Sequence, residues 1–342
     1  MVPWLAVSLV LAQERFEFVL SLPSTAVAIA CNGAIAVGRE DGTVTVYASS
    51  QKASSATSFA TIHERGPILA LSFSPDGQIL ATGFQDDGRN VTAAIWQRNG
   101  KLIRYFDALE GAPVDPGAFN RGFALKSTSR FAWSPKGALL AAEHHGHLDT
   151  GVRVWDLHGQ LKAELGISPT GWKGIPINER GAMAAGVKGL AFSPDGKSIL
   201  TSMDDGYVRT WRLNGRVRWQ TKVARQDGVC DAAYSLDGNH VVFGTSWQDR
   251  LFGSLDASNG RIEWESKLPN SPMAVSTLRD GRMLVVSGTH VQVGHRVPLH
   301  DLAPPFTSPK IFAIDLGRRI ILVSGDGKTY DALTHINGPN MR

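Results

Sequence analysis

The chain has 342 residues, 43% of them hydrophobic and 19% charged, with a formal net charge of +4 and 36 glycines. That balance excludes disorder, which needs low hydrophobicity or a large net charge, and glycines without a three-residue period exclude collagen. Two cysteines make no disulfide framework, and no apolar run reaches the roughly 18 residues of a spanning helix.

Residues 1–12, MVPWLAVSLVLA, are almost wholly apolar, and polarity returns at Gln13-Glu14-Arg15. Val10 and Ala12 stand at the −3 and −1 positions expected before a signal-peptidase cut. The segment reads as a signal peptide, which implies a periplasmic or extracellular protein. An apolar first strand in a cytoplasmic protein is the alternative. ERFEFVLSL at 14–22 alternates, with Phe16, Phe18, Leu20 and Leu22 on one side, as a strand does.

One pattern then recurs. AIACNGAIAVG at 28–38, LSFSPDGQILATG at 71–83, FAWSPKGALLAA at 131–142 and LAFSPDGKSILTS at 190–202 are four copies. AAYSLDGNHVVFGTS at 232–246, STLRDGRMLVVSGT at 276–289 and AIDLGRRIILVSG at 313–325 complete the series. Each is a short apolar strand, a glycine turn and a second apolar strand. The turn glycines are Gly33, Gly77, Gly137, Gly196, Gly238, Gly281 and Gly317. Most follow Asn or Asp, the pairing that tolerates the positive φ of a hairpin. The second strands are apolar almost throughout and should be buried on both faces. Third strands follow, such as TVTVY at 43–47, GVRVWDL at 151–157 and YVRTWRL at 207–213, then a further turn and a fourth strand. A basal period of about 42 residues belongs to four-stranded propeller blades.

At SPDG, ILATG and VRVWDL the chain resembles bacterial WD-repeat β-propellers. The resemblance covers roughly residues 15–335. It implies an all-β fold: a seven-bladed propeller of four-stranded antiparallel blades in one unit over 13–335, with a tail at 336–342. The blades fall near 24–50, 66–106, 126–165, 187–222, 228–267, 271–300 and 310–333. Blade seven lacks a fourth strand, and 14–22 is expected to supply it and close the ring. The family's Gly-His before the first strand is missing, and Trp-Asp is complete only at Trp155-Asp156. Its Asp-His-Ser-Trp hydrogen-bond network is therefore expected to be incomplete. LDASNGRIEW at 255–264 resembles the tryptophan-docking turn of quinoprotein-type (PQQ-like) propellers, and Trp219 echoes it. There the tryptophan packs between blades, so no quinone and no other cofactor is implied.

In such a blade, loops between strands two and three share one face with the connectors leaving strand four. The long segments 107–125, 166–185, 83–90, 143–151, 246–250 and 300–309 all fall on that face, mostly around blades two to four. Long loops without secondary structure are usually functional. The binding-face candidates are Asp86, Asp87, Phe119, Glu143, His144, His145, His147, Asp149, Trp172, Trp247, Asp249 and Arg250. Imidazole and carboxylate are ordinary metal donors, which makes His144 and His147 the metal candidates; a solvated loop is the plainer reading. Trp96, Trp155, Trp211, Trp219 and Trp264 follow the repeat and are read as core. Cys31 and Cys230 are read as buried, unbridged thiols.

Neither a nucleophile elbow nor an H-E-x-x-H helix, P-loop or dinucleotide fingerprint occurs. Lys and Arg form no basic stripe, which argues against nucleic acid as partner. The expected function is that of a non-catalytic, monomeric scaffold binding another protein through the long-loop face. The alternatives are an exported ligand- or metal-binding propeller and a metal-dependent propeller hydrolase or lactonase.

Overall fold

The structure, a computed structural model, describes residues 14–21, 25–31, 34–47, 58–85, 91–107, 127–145, 150–166, 186–226, 228–246, 248–278, 281–287, 290–296, 298–301, 309–315, 319–324 and 328–334. Among them there is no helix, and every element is a strand. The N-terminal strand is β1 (Glu14–Ser21). The first sheet is β2 (Ala26–Ile29), β3 (Ile35–Gly38), β4 (Thr43–Tyr47) and β5 (Ser58–His63). The second is β6 (Ile68–Phe73), β7 (Ile79–Phe84), β8 (Val91–Gln97) and β9 (Leu102–Asp107). The third is β10 (Ser127–Trp133), β11 (Leu139–His145), β12 (Thr150–Asp156) and β13 (Leu161–Leu165). The fourth is β14 (Val187–Phe192), β15 (Ser198–Met203), β16 (Tyr207–Arg212) and β17 (Val217–Lys222). The fifth is β18 (Val229–Tyr234), β19 (His240–Thr245), β20 (Leu251–Asp256) and β21 (Ile262–Lys267). The sixth is β22 (Pro272–Thr277), β23 (Met283–Ser287), β24 (His290–Gly294) and the two-residue β25 (His300–Asp301). The last holds β26 (Pro309–Asp315), β27 (Arg319–Ser324) and β28 (Lys328–Thr334), with β1 added beside β28. β1 runs antiparallel to β28, from Glu14 opposite Thr334 to Ser21 opposite Lys328.

Strand burial follows position in the sheet. The second strands β15 and β23 are buried at every residue, as their apolar composition predicts. The outermost β13 and β17 alternate, showing Lys, Arg and Glu to water, which protects an open sheet edge from pairing with other chains. The core consists of apolar layers between successive sheets. Ala36, Val46, Ile68, Leu80 and Phe84 fill the first junction, and Val154, Leu165, Ile199 and Trp211 fill the junction of sheets three and four. Trp96, Trp155, Trp211 and Trp219 are buried as expected. Trp264 is only half-buried, edge-on to Phe252. The cysteines differ from expectation: both are free, but Cys31 is exposed in a turn and Cys230 is half-buried.

The hairpins between first and second strands repeat one design. The Ser74 hydroxyl donates to Asp76 Oδ1 at 2.6 Å, and the Ile79 amide donates to Ser74 Oγ at 2.9 Å. Asp76 Oδ1 also accepts the Gln78 amide at 3.0 Å. Ser193-Asp195 and Ser235-Asp237 copy the arrangement. Successive hairpins touch: Pro75 lies against Gly137, Pro135 against Gly196 and Pro194 against Gly238. Leu236 stands where the next proline would be, and nothing lies within 4 Å of a Cβ placed on Gly281.

Candidate interaction face

Opposite the hairpins, the loops between second and third strands meet the connectors between sheets. The Glu64 amide donates to Gly42 O at 2.9 Å, and the Gln85 amide to Pro67 O at 3.1 Å. Val223 and Ala224 amides both donate to Gly206 O. Ser246 donates to Gly228 O at 3.0 Å. These bonds put both loop classes on one side.

Several candidate residues can be placed on that side. Asp249 is buried, and its Oδ2 accepts the amides of Arg225 at 2.7 Å and Gln226 at 2.9 Å. It ties its own loop to the preceding connector. Arg250 has φ 52°, a left-handed conformation rare outside glycine, and its Nη1 donates to Pro269 O at 2.7 Å. Both residues are therefore committed to holding loops together. Glu143 is buried in β11, opposite Arg130 of β10. His144 and His145 also belong to β11, opposite Gly151 and Thr150. The segment expected as a loop over 143–151 is thus mostly strand, because the β11–β12 pairing runs on to His145. Among the described residues no three His, Cys, Asp or Glu side chains are grouped as a metal would need. Asp86, Asp87, Phe119, His147, Asp149, Trp172 and Trp247 lie outside the described residues, as does the apolar segment 1–12 expected as a signal peptide.

Two carboxyl groups, one buried and one half-buried, escaped sequence reasoning. The first is Glu64. Its Oε1 accepts Trp96 Nε1 at 2.9 Å and the Thr82 hydroxyl, while Trp96 Nε1 also lies 3.0 Å from Thr82 Oγ1. A glutamate thus takes the place in the network that the missing Gly-His leaves open. In sheet four, Trp211 Nε1 reaches Thr201 Oγ1 at 2.8 Å. Burial pushes the Glu64 carboxyl up to about 7, against the pull of its two hydrogen bonds and Arg65. The usable signal was a lone Glu just before a first strand, paired with repeat positions Thr82 and Trp96.

The second is Asp231, on an innermost strand. Six first strands shift register near their start, and the residues just after are Ala70, Arg130, Gly189, Asp231, Ala274 and Ala313. Three of these are alanine and one is glycine; Arg130 and Asp231 carry charge on either side of Gly189. Asp231 Oδ2 accepts the Val275 amide of sheet six at 3.0 Å, and Oδ1 its neighbour's amide at 2.9 Å. Arg130 Nε donates to Val187 O of sheet four at 3.1 Å. A Cβ on Gly189 would lie 2.8 Å from Asp231 Oδ1. Enclosure pushes the Asp231 carboxyl up to about 6, and the Arg130 charge opposes that rise. The group joins sheets five and six.

Comparison with known proteins agrees with the repeats. The WD domain, G-beta repeat model matches residues 56–92 and 179–212. WD repeats are present in this chain. Protein HIR1 of Yarrowia lipolytica is 25% identical over 220 residues, which are 59% of this chain and 19% of that protein. The ciliary WD repeat-containing protein ctxp80 of Euplotoides octocarinatus is 26% identical over 202 residues, 56% of this chain and 26% of that one. The chain therefore spans only about a fifth to a quarter of these relatives. A chain in the crystal structure of the mitotic checkpoint complex superposes with a TM-score of 0.67, covering 97% of this chain and 96% of its own at 13% identity. That likeness establishes the β-propeller fold. None of these three is named for a catalytic activity.

Proposed function

We propose that this WD-repeat propeller is a non-catalytic scaffold that binds another protein through the face bearing the connectors and the second-to-third-strand loops. The observation that carries the reading is the contrast between faces. One is built of short, repeated hairpins packed Pro on Gly. The other receives the long segments between Asp107 and Ser127 and between Leu165 and Val187. A rigid sheet framework holds such segments at low entropic cost to binding. The solved relative sits in an assembly of proteins, which supports the same class of partner. In this reading the seven sheets form a closed ring, with β1 as the fourth strand of the last blade. Its pairing with β28 and the packing of β2 on β26 support closure. Trp219 supports reading 255–264 as a docking turn, since its Nε1 donates to Ala257 O at 2.9 Å.

Crosslinked affinity capture tests the assignment. The intact chain is compared with one whose segments 108–126 and 167–185 are cut to short turns. A partner captured by the first and lost from the second, while both melt alike, supports the long-loop face. A partner kept by the shortened chain refutes it.

A further inference from the structure

The connector between sheets one and two is held from both sides. Its Glu64 amide donates to Gly42 O at 2.9 Å, and the Ile68 amide that follows donates to Arg39 O at 3.0 Å. Both acceptors belong to the loop of sheet one. On the other side Pro67 O accepts the Gln85 amide at 3.1 Å, and Asp86-Asp87 follow directly. The connector thus forms the base of the second sheet's loop.

At its centre sits the Glu64 carboxyl, only 9% exposed as a residue. Oε1 is satisfied by Trp96 and Thr82. Oε2 is enclosed and has no hydrogen-bond partner among the described residues. A carboxylate with a bare buried oxygen is costly, and such a group either takes a proton or reaches water. Arg65 is the charge that acts on it, with its guanidinium 4.8 Å over the Tyr105 ring. Tyr105 is the titratable neighbour, edge-on to Trp96 at 6.2 Å and held further protonated by burial and by Glu64 itself. Among the described residues one cation, Arg65, already stacked on an aromatic ring, acts on the carboxyl.

We propose that Glu64 is a proton-controlled latch on the connector 64–67: protonated, it closes the connector onto both sheets, and ionised, it draws the connector open to hydrate Oε2. Opening loosens the anchors at Gly42, Arg39 and Gln85. The rise of the carboxyl to about 7 puts this change near neutrality, where an ordinary carboxylate no longer titrates. The latch lies on the proposed binding face but does not depend on any partner.

Hydrogen exchange of the full chain, corrected for the intrinsic pH dependence, reads the latch directly. Between pH 6 and pH 8 the Glu64, Ile68 and Gln85 amides should lose about tenfold in protection, the change that one unit of pKa corresponds to. The Gly77 and Ile79 amides of the opposite hairpin should not change. Glu64→Gln should hold protection constant with pH. Flat protection in the unsubstituted chain, or an equal loss in the Gln variant, overturns the latch. If that variant does not fold, carbon NMR of the Glu64 carboxyl in the unsubstituted chain decides. A midpoint near neutrality shared by the Trp96 indole N–H supports the latch, and one in the ordinary carboxylate range overturns it.

Discussion

On the hairpin face, Ser74-Asp76, Ser193-Asp195 and Ser235-Asp237 make the same bonds between residues two apart. On the connector face, backbone bonds recur but the side-chain junctions differ from one another among the described residues. Glu64 joins Trp96, Asp249 joins Arg225, Arg130 joins Val187 and Asp231 joins Val275. The first face is stabilised by local turns that each repeat can carry alone. The second is stabilised by single contacts between distant segments, so each junction can change without altering the others. That freedom suits a surface that recognises something specific, and the uniform face suits a base.

Breaking the proposed closure should have the largest effect, because in that reading both faces rest on it. Removing residues 14–21 leaves β28 as an open edge. The truncated chain should lose its cooperative melt by circular dichroism and aggregate on size exclusion; a parent-like melt would count against closure by β1.

The pH dependence of stability separates the faces next. Glu64 is raised in the folded chain, so its contribution is fully present below the ordinary carboxylate value of 4.5 and is lost as pH rises through about 7. Glu64→Gln should flatten that fall, worth about 3 kcal/mol in urea unfolding. Asp231 acts with the same sign between 3.8 and about 6. The hairpin aspartates Asp76, Asp195 and Asp237 are held low by their serines and neighbouring amides. Their stabilisation is present above 3.8 and fades only as pH falls below it. Acid therefore weakens the hairpin face and neutral pH the connector face.

Glycine substitutions sharpen the comparison within one face. Gly260 has φ +77°, and a Cβ there would meet the Trp219 ring at 2.5 Å. Gly281 has φ +80° and open space. Gly260→Ala should cost about 2–4 kcal/mol by adding overpacking to the left-handed penalty, and Gly281→Ala about 1–2 kcal/mol. Equal melting shifts would mean that Trp219 yields freely. The smallest contrast sets Asp249 against Asp237. Asp249→Ala strands two amides beside a buried site and should cost about 1–3 kcal/mol, while the exposed Asp237→Ala should cost about 1 kcal/mol or less.

Local chemistry was legible and long-range chemistry was not. Asp-Gly and Asn-Gly turns, apolar second strands and the alternation at 14–22 each report a neighbour within a few residues, and each became the expected element. His144 and His145 were misplaced because a strand end is decided by its partner, here Thr150 and Gly151. Asp249 and Arg250 looked like surface anchors by residue type; their partners, the Gln226 amide as donor and Pro269 O as acceptor, lie in separate connectors. The role of Glu64 was not legible, since Thr82 and Trp96 approach it only once the sheet has formed.

Site-specific photocrosslinking to the captured partner tests the division of labour between faces most directly. A photoreactive residue is placed at Trp172 in one chain and at the exposed hairpin residue Lys136 in another. Adducts from position 172 with none from 136 are expected. Adducts from 136 alone would put the partner on the repeated hairpins and contradict the assignment of the connector face.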